Sequence, residues 1–436
     1  MKSQFFLFLH LFNFLLLFSS SQSVFQIPLT QTSSGQYVST INLGTPSSKF
    51  TIKPDTSTFL FWVGERGSQA DYPNTFDPTH SSTFQNLSIP YTTIFSNGLN
   101  QGYLSSDVIQ LANIKTNLSF ALAQYTITTS SEIDGVLGLG YKYKNQMYLN
   151  DNFNLISVLK ENKQINKTVF TLKNYVNETT SKHEGVIFVG DYPSHFSSQE
   201  EILLNKTGFC GIVNYTTNSK QLSWNCRMSY LIKGSDNSEA AFKSHNIELN
   251  ETVVFDYNSK TSILRQEIAN KFLAAFGKSE CSFVEVSLVS KEIQCTNNTK
   301  EISLVFNGVA LRLPKESLYE YIEETQKYRL PFIFSSEVKV SMLGQVLFDN
   351  YEVLFDEELS RVGFHADKLE MMGNVTKYTT DEDKNESNTT FIVIISIVGA
   401  AITKEINFPR SAKYFATFHH ISPQNLFFPP LGHISQ

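Results

Sequence analysis

Two carboxylates in matching settings are the residues of this chain best placed to do chemistry. Asp55 closes the run Phe50-Thr51-Ile52-Lys53-Pro54 and is followed by Thr56, Ser57 and Thr58. Asp256 closes Thr252-Val253-Val254-Phe255 and is followed by Tyr257, Asn258 and Ser259. Each Asp ends a strand-like apolar run and has a hydroxyl residue three positions later. Two such carboxylates brought together share a proton, because like charges at close range cannot both ionise. The half-ionised pair can then activate water for amide hydrolysis. The first turn reads as intact; the second, with an aromatic ring and an amide after its Asp, reads as damaged.

The 436 residues leave room for one large domain or two ordinary ones. Charged residues make up 17% of the chain and the net charge is −6, with no basic stripe, so a nucleic-acid partner is not expected. Met1-Lys2, the Phe/Leu run Phe5 to Phe18 and the small residues Ser19 to Ser23 have the layout of a secretory signal peptide over residues 1–22. The alternative reading is a first transmembrane anchor. Sequons recur at Asn86, Asn117, Asn166, Asn177, Asn205, Asn214, Asn250, Asn297, Asn374, Asn385 and Asn388. The last of these fall in a polar, glycosylated linker, 369–390. Beyond it, residues 391–402 form an apolar segment, and a tail, 403–436, carries Lys404, Arg410 and Lys413. Acidic residues before and cations after suit a membrane anchor. The segment is only about 12 residues against the ~20 a span needs, so an interfacial segment or lipid-anchor signal stays open. The expected location is the secretory pathway, whether extracellular, in a vacuolar or lysosomal lumen, or membrane-tethered. The 4 cysteines, Cys210, Cys226, Cys281 and Cys295, suit two disulfides in an oxidising compartment. Three pairings exist, and the short loops favour Cys210–Cys226 and Cys281–Cys295. No Cys-x-x-Cys or His-x-x-x-His spacing suggests a metal.

The elements that must position the two Asp residues read as β. Tyr37 to Leu43 alternates inward and outward residues and breaks at Gly44-Thr45-Pro46. Short strands recur at Ser106–Leu111, Val169–Leu172, Gly185–Gly190, Ile302–Phe306 and Tyr351–Phe355, while helical patterns are confined to Asn154–Glu161 and Arg265–Phe276. An all-β architecture with few short helices is expected. A weak internal repeat accompanies it. Asp55 is followed by Asp134-Gly-Val-Leu-Gly-Leu-Gly140, and Asp256 by Ser341-Met-Leu-Gly344. Two lobes of like topology would offer a cleft with the Asp turns at its floor.

These residues resemble the pepsin-like aspartic peptidase family, the eukaryotic bilobal A1 type, over most of Gln36 to Lys368. Tyr37 to Pro46 is similar to the family's opening strand and Gly-Thr-Pro turn. Asp55 to Thr58 with Trp62 is similar to its first Asp-Thr-Gly-Ser motif and the Trp that follows. Phe76-Asp-Pro with Ser81 to Phe84, Asp134 to Gly140, and Leu343 to Asp356 with Arg361 to Phe364 continue the match in order. The resemblance implies two related β-barrel-like lobes, 27–192 with Asp55 and 193–368 with Asp256. It also implies a peptide-binding cleft, no metal or organic cofactor, and an acidic optimum. A polypeptide substrate, cleaved between bulky apolar residues, and a monomer are expected.

The chain departs from the family pattern at several points. Ser57 replaces a Gly used where two loops meet closely. Tyr257 replaces the Thr whose hydroxyl ties one loop to the other, and a Tyr ring there is expected to shift the loop. Asn258 replaces the second Gly, which Asn partly imitates at positive φ. Counting along the hairpin puts Phe95, before Gly98, where the family has its flap Tyr; a longer hairpin would instead put Tyr91 there. The alternative for either aromatic is core or hairpin packing. A basic prosegment of the family's length is not expected between the signal peptide and Tyr37. The leading reading is an aspartic endopeptidase using Asp55 and Asp256, supported by Thr56, Ser57, Thr58, Tyr257, Asn258 and Ser259, with Phe95, Gly98 and Trp62 at the cleft. The alternative is a weak or inactive pseudo-peptidase that binds peptides in the same cleft. A glycosidase fits two carboxylates alone.

Overall fold

A computed structural model of the chain describes residues 24–68, 72–95, 98–126, 132–141, 153–197, 206–213, 223–234, 246–257, 259–307 and 309–366. The signal-peptide reading, the linker, the apolar segment 391–402, the tail and Asn258 lie outside these residues.

In the first half the strands are β1 (Phe25–Gln31), β2 (Tyr37–Leu43), β3 (Ser48–Asp55), β4 (Trp62–Gly64), β5 (Gln85–Phe95), β6 (Gly98–Leu111), β7 (Ile114–Thr126) and β8 (Gly135–Gly138). Then come β9 (Val169–Val176), β10 (His183–Val189) and β11 (Thr207–Gly211). The second half holds β12 (Asn225–Lys233), β13 (Asn246–Phe255), β14 (Ser262–Arg265), β15 (Cys281–Ser287), β16 (Ser290–Cys295), β17 (Ile302–Phe306) and β18 (Val309–Leu313). It closes with β19 (Glu320–Ile322), β20 (Lys327–Ser335), β21 (Ser341–Leu343), β22 (Glu352–Asp356) and β23 (Arg361–His365). Helices are short: α1 (Leu155–Glu161), capped by the Asn154 side chain on Ser157 N–H, and α2 (Ala269–Phe276). The expected all-β, bilobal fold is the one found.

Among the described residues the strands form a 13-stranded and a 10-stranded sheet. In the first, β2-β3-β8-β4-β7-β6 closes on itself because β6 also pairs β2, Leu111 opposite Ile41. That closure makes the barrel-like lobe and removes its edges. The same sheet continues through β1, β10 and β9 to β22, β23 and β11, so strands from the expected C-terminal lobe pair with the N-terminal half. β1 lies antiparallel to β10, Phe25 opposite Val189, with alternate residues buried.

The two halves share a local topology. β3 runs parallel to β8 and β4 runs antiparallel to β8; β13 runs parallel to β21 and β14 antiparallel to β21. In each half, therefore, one short strand is threaded between the strand that ends at the Asp and the strand that leaves its turn. One continuous apolar core, including Phe50, Ile52, Phe255, Phe355 and Phe364, spans both halves.

Both disulfides take the pairing favoured by loop length. Cys210–Cys226 links β11 to β12, and so ties the two sheets together; Cys281–Cys295 crosses the β15–β16 hairpin in register. Among the described residues no helix is long and apolar enough to cross a membrane. Of the described sequon asparagines, Asn86, Asn117, Asn166 and Asn250 are exposed, and Asn177 and Asn297 are partly so.

Candidate active site

The threaded strands decide where each Asp sits. β3 ends at Asp55, in register with Gly138 of β8, and β13 ends at Phe255, in register with Leu343 of β21. Past the Asp, backbone bonds repeat in both halves. Gly140 N–H donates to Thr58 O at 2.7 Å, and Gln345 N–H donates to Ser259 O at 2.9 Å. Asp256 N–H is held by Leu343 O at 2.8 Å, and Leu139 N–H by Asp55 O at 2.8 Å. The Gly residues of the repeat are needed for this approach. A Cβ on Gly140 would stand 2.6 Å from the Thr58 carbonyl carbon, and one on Gly344 2.2 Å from Ser259 O.

The two turns touch through Thr56. Its hydroxyl donates to Phe255 O at 2.7 Å and accepts from Tyr257 N–H at 2.9 Å. Those partners flank Asp256 on either side, and Thr56 is the neighbour of Asp55, so the bridge fixes the two Asp backbones against each other. Both Asp residues are buried, at 3% and 1% exposure.

The first turn aims three donors at one carboxylate oxygen. Asp55 Oδ1 accepts from Ser57 N–H at 2.7 Å, Ser57 Oγ at 2.6 Å and Thr58 N–H at 3.1 Å. Ser57 therefore does more than fit where the family pattern has Gly: its hydroxyl adds a donor. Its carbonyl also accepts from Ser223 Oγ at 2.8 Å, and neighbouring Trp224 donates Nε1–H to Leu139 O at 2.7 Å. Segment 223–224 thus reaches from the second half to brace the first turn.

The second turn is held from below. The Tyr257 ring, expected to displace the loop, points into the core between Tyr37 (ring centroids 5.9 Å apart) and Phe348 (5.0 Å, edge-on). Its hydroxyl donates to Asn174 Oδ1 at 2.6 Å, and Asn174 Nδ2 donates to Asp349 Oδ1 at 2.8 Å. Burial pushes the Tyr257 phenol well above its ordinary value, and burial likewise raises the Asp349 carboxyl, against the Asn174 hydrogen bond and the His183 charge. Ser259, expected to support the dyad with its hydroxyl, instead donates Oγ to Thr261 O at 2.8 Å, while its N–H closes the turn on Asp256 O at 3.2 Å.

A separate aromatic cluster sits on β4, the strand beside β8. Trp62 is buried beside Tyr72 at 5.7 Å, and Tyr91 packs into the same cluster. Burial drives the Tyr91 phenol above its ordinary value. Phe95 and Gly98 pair backbone to backbone at the tip of the β5–β6 hairpin, and the Phe95 ring lies outside what the structure describes. Sequence patterning misses Ser223, Trp224, Asn174 and Lys53. Only Lys53, a cation inside an apolar run, carries a readable signal. It is 5% exposed on β3, where the charges of Asp55 and Asp256 both act on it. Among the described residues no cluster of three or more His, Cys, Asp or Glu is arranged to hold a metal ion.

Residues 36–367 match the eukaryotic aspartyl protease family. Chymosin of Bos taurus is 34% identical over 132 residues, covering 28% of this chain and 34% of chymosin. Gastricsin of Oryctolagus cuniculus is 22% identical over 343 residues, covering 76% of this chain and 81% of gastricsin. Pregnancy-associated glycoprotein 2 of Bos taurus is 31% identical over 157 residues, 35% of this chain and 40% of that protein. The chain thus spans about a third of the length of chymosin and about four fifths of gastricsin.

Proposed function

The chain belongs to the eukaryotic aspartyl protease family, and on that premise we propose that it is an endopeptidase whose catalytic pair is Asp55 and Asp256. The observation that carries this reading is the Thr56 bridge, which ties the two Asp turns together through Phe255 O and Tyr257 N–H. A dyad needs that register, because an ångström of misplacement is enough to lose most of a rate.

Chemically, Oδ1 of Asp55 is fixed as an acceptor by three donors, which directs a proton shared with Asp256 to the other oxygen. With one proton on the pair, the ionised carboxylate takes a proton from water as the water oxygen attacks the scissile carbonyl. The protonated carboxyl gives its proton to the carbonyl oxygen. Collapse of the tetrahedral intermediate then breaks the C–N bond: one of its hydroxyls returns a proton to the carboxylate that had protonated the carbonyl oxygen, the amine leaves with the proton first taken from water, and the pair regains its single proton. Because the pair must hold one proton, turnover belongs to acidic pH. Ser57 and Thr58 hold the first carboxylate, and Thr56 ties its turn to the second. Tyr257, Asn258 and Ser259 shape the second turn. Trp62 and Tyr91 line the wall under a flap whose tip is Phe95 and Gly98.

The proposed lobes are 27–192 and 193–368. A secretory route is supported by the two disulfides and the exposed sequon asparagines; a membrane tether through 391–402 and a monomeric state belong to the same proposal. The test is hydrolysis of a denatured protein by the purified full chain from about pH 3 to 7. Cleavage on the acid side that vanishes in Asp55→Ala and with a statine-type inhibitor supports the reading; a wild-type protein that cleaves nothing across the range overturns it. A second reading, peptide binding without turnover, is favoured by one observation: Ser259 Oγ turns to Thr261 O.

A further inference from the structure

Strand β3 carries a charge where its neighbours carry hydrocarbon. Side chains alternate along a strand, so Lys53 and Asp55 share one face while Ile52 and Pro54 share the other. The register agrees with this assignment. Phe50 and Ile52 belong to the main core, whereas Val136, directly opposite Lys53 on β8, belongs to the separate aromatic cluster of Trp62, Tyr91, Phe59 and Val38. Lys53 therefore stands one strand repeat, about 7 Å, from Asp55 on the side that holds the dyad and the wall of the cleft. At 5% exposure its stem is packed among apolar groups, and the two carboxylates whose charge acts on its ammonium are Asp55 and Asp256. Burial lowers its pKa from the ordinary value, with those two charges opposing the shift.

We propose that Lys53 is a specificity-determining residue of the cleft, its ammonium selecting an acidic side chain on the substrate residue beside the scissile bond. The inference rests on the cleft reading above and replaces an apolar preference at that one position. A pair holding one shared proton has a single negative charge, which it needs in order to take a proton from water. Lys53 is already nearly buried, and a seated substrate removes what water still reaches its ammonium beside that pair. A substrate carboxylate restores the lost solvation with a charge-assisted hydrogen bond. An amide restores it weakly, an aliphatic chain not at all, and a second cation is repelled.

The experiment uses the full chain and four octapeptides with a reduced, uncleavable central bond, differing only in Glu, Gln, Leu or Lys beside it. Affinities are measured calorimetrically at about pH 6, where a peptide Glu is ionised. The expected order is Glu, Gln, Leu, Lys, with Glu ahead of Gln by about ten-fold or more, the range of a hydrogen bond to a charged group. In Lys53→Met that lead falls within about two-fold, and in Lys53→Arg, which keeps the cation, it persists. Equal binding of Glu and Gln by the wild type, or a Glu preference that survives Lys53→Met, overturns the proposal. Failure of all four peptides to bind overturns it together with the cleft. Hydrolysis of ordinary substrates without a Glu preference overturns this inference alone; a Glu preference without hydrolysis overturns only the endopeptidase.

Discussion

The turn after Asp55 and the turn after Asp256 start from the same threaded topology and hold their carboxylates in different ways. The first is braced sideways and from above: Ser57 and Thr58 donate to the carboxylate itself, and Ser223 and Trp224 hold the loop from the other half. The second is anchored downward by a ring in the core and a relay of hydrogen bonds from the buried Tyr257 through Asn174 to Asp349 at the surface. The difference teaches that a missing hydroxyl need not leave a loop adrift. The Tyr257 N–H still meets Thr56, because the ring leaves the turn on its far side.

The comparison breaks most sharply at Tyr257. Tyr257→Thr, which restores the family's residue type, removes a ring that fills space between Tyr37 and Phe348. The expected loss is about 3–5 kcal/mol of unfolding free energy, the range for deleting a buried aromatic, measured by urea denaturation. Combining it with Asn258→Gly raises no activity on this account; a gain in activity without that loss would restore the view that the second turn is damaged.

Next comes the bridge itself. Thr56→Val leaves Phe255 O and Tyr257 N–H buried without their hydroxyl, at a cost of roughly 2–4 kcal/mol. Hydrolysis should fall more than folding does, since both turns lose their common tie. Thr56→Ser, which keeps the hydroxyl, should recover most of each.

The smallest effect is on pH dependence. Burial raises the Asp349 carboxyl, so the folded chain keeps a proton there that the unfolded chain releases near the ordinary value of 3.8. Its contribution to stability is complete below that pH and is lost as pH rises through the folded-state value. Asp349→Asn should therefore flatten the decline in stability on the alkaline side of 3.8 relative to wild type, read from melting temperatures across a pH series.

Much of this comparison is legible in the amino-acid order alone. Ordered motifs mark Asp55, Asp256 and the Gly strands after them, because those glycines are demanded by contacts that recur in each half. Loop length picks the disulfide partners. What stays hidden lies where side chains from distant segments meet without a motif. The direction of the Tyr257 ring depends on Tyr37, Asn174 and Phe348, none of which is near it in the chain. The hydroxyl of Ser259 stands at the expected spacing but serves a local turn. Counting leaves the flap aromatic open between Phe95 and Tyr91, since a register cannot be counted from one strand alone; Tyr91 packs against the cluster of Trp62, and the Phe95 ring lies outside the described residues. Lys53 shows in the sequence as a cation inside an apolar run, but what that cation faces is hidden, because Asp256 comes from the second half of the chain.

The central claim is that two differently anchored carboxylates act as one pair. The most direct measurement compares peptide hydrolysis from about pH 3 to 7 by the wild type, Asp55→Asn and Asp256→Asn, with folding of each checked by circular dichroism. The account predicts acid-side cleavage by the wild type and a fall of at least about a thousand-fold in both variants, because neither carboxylate alone can both take and give the proton. Retention of wild-type hydrolysis in Asp256→Asn, with loss confined to Asp55→Asn, would contradict it.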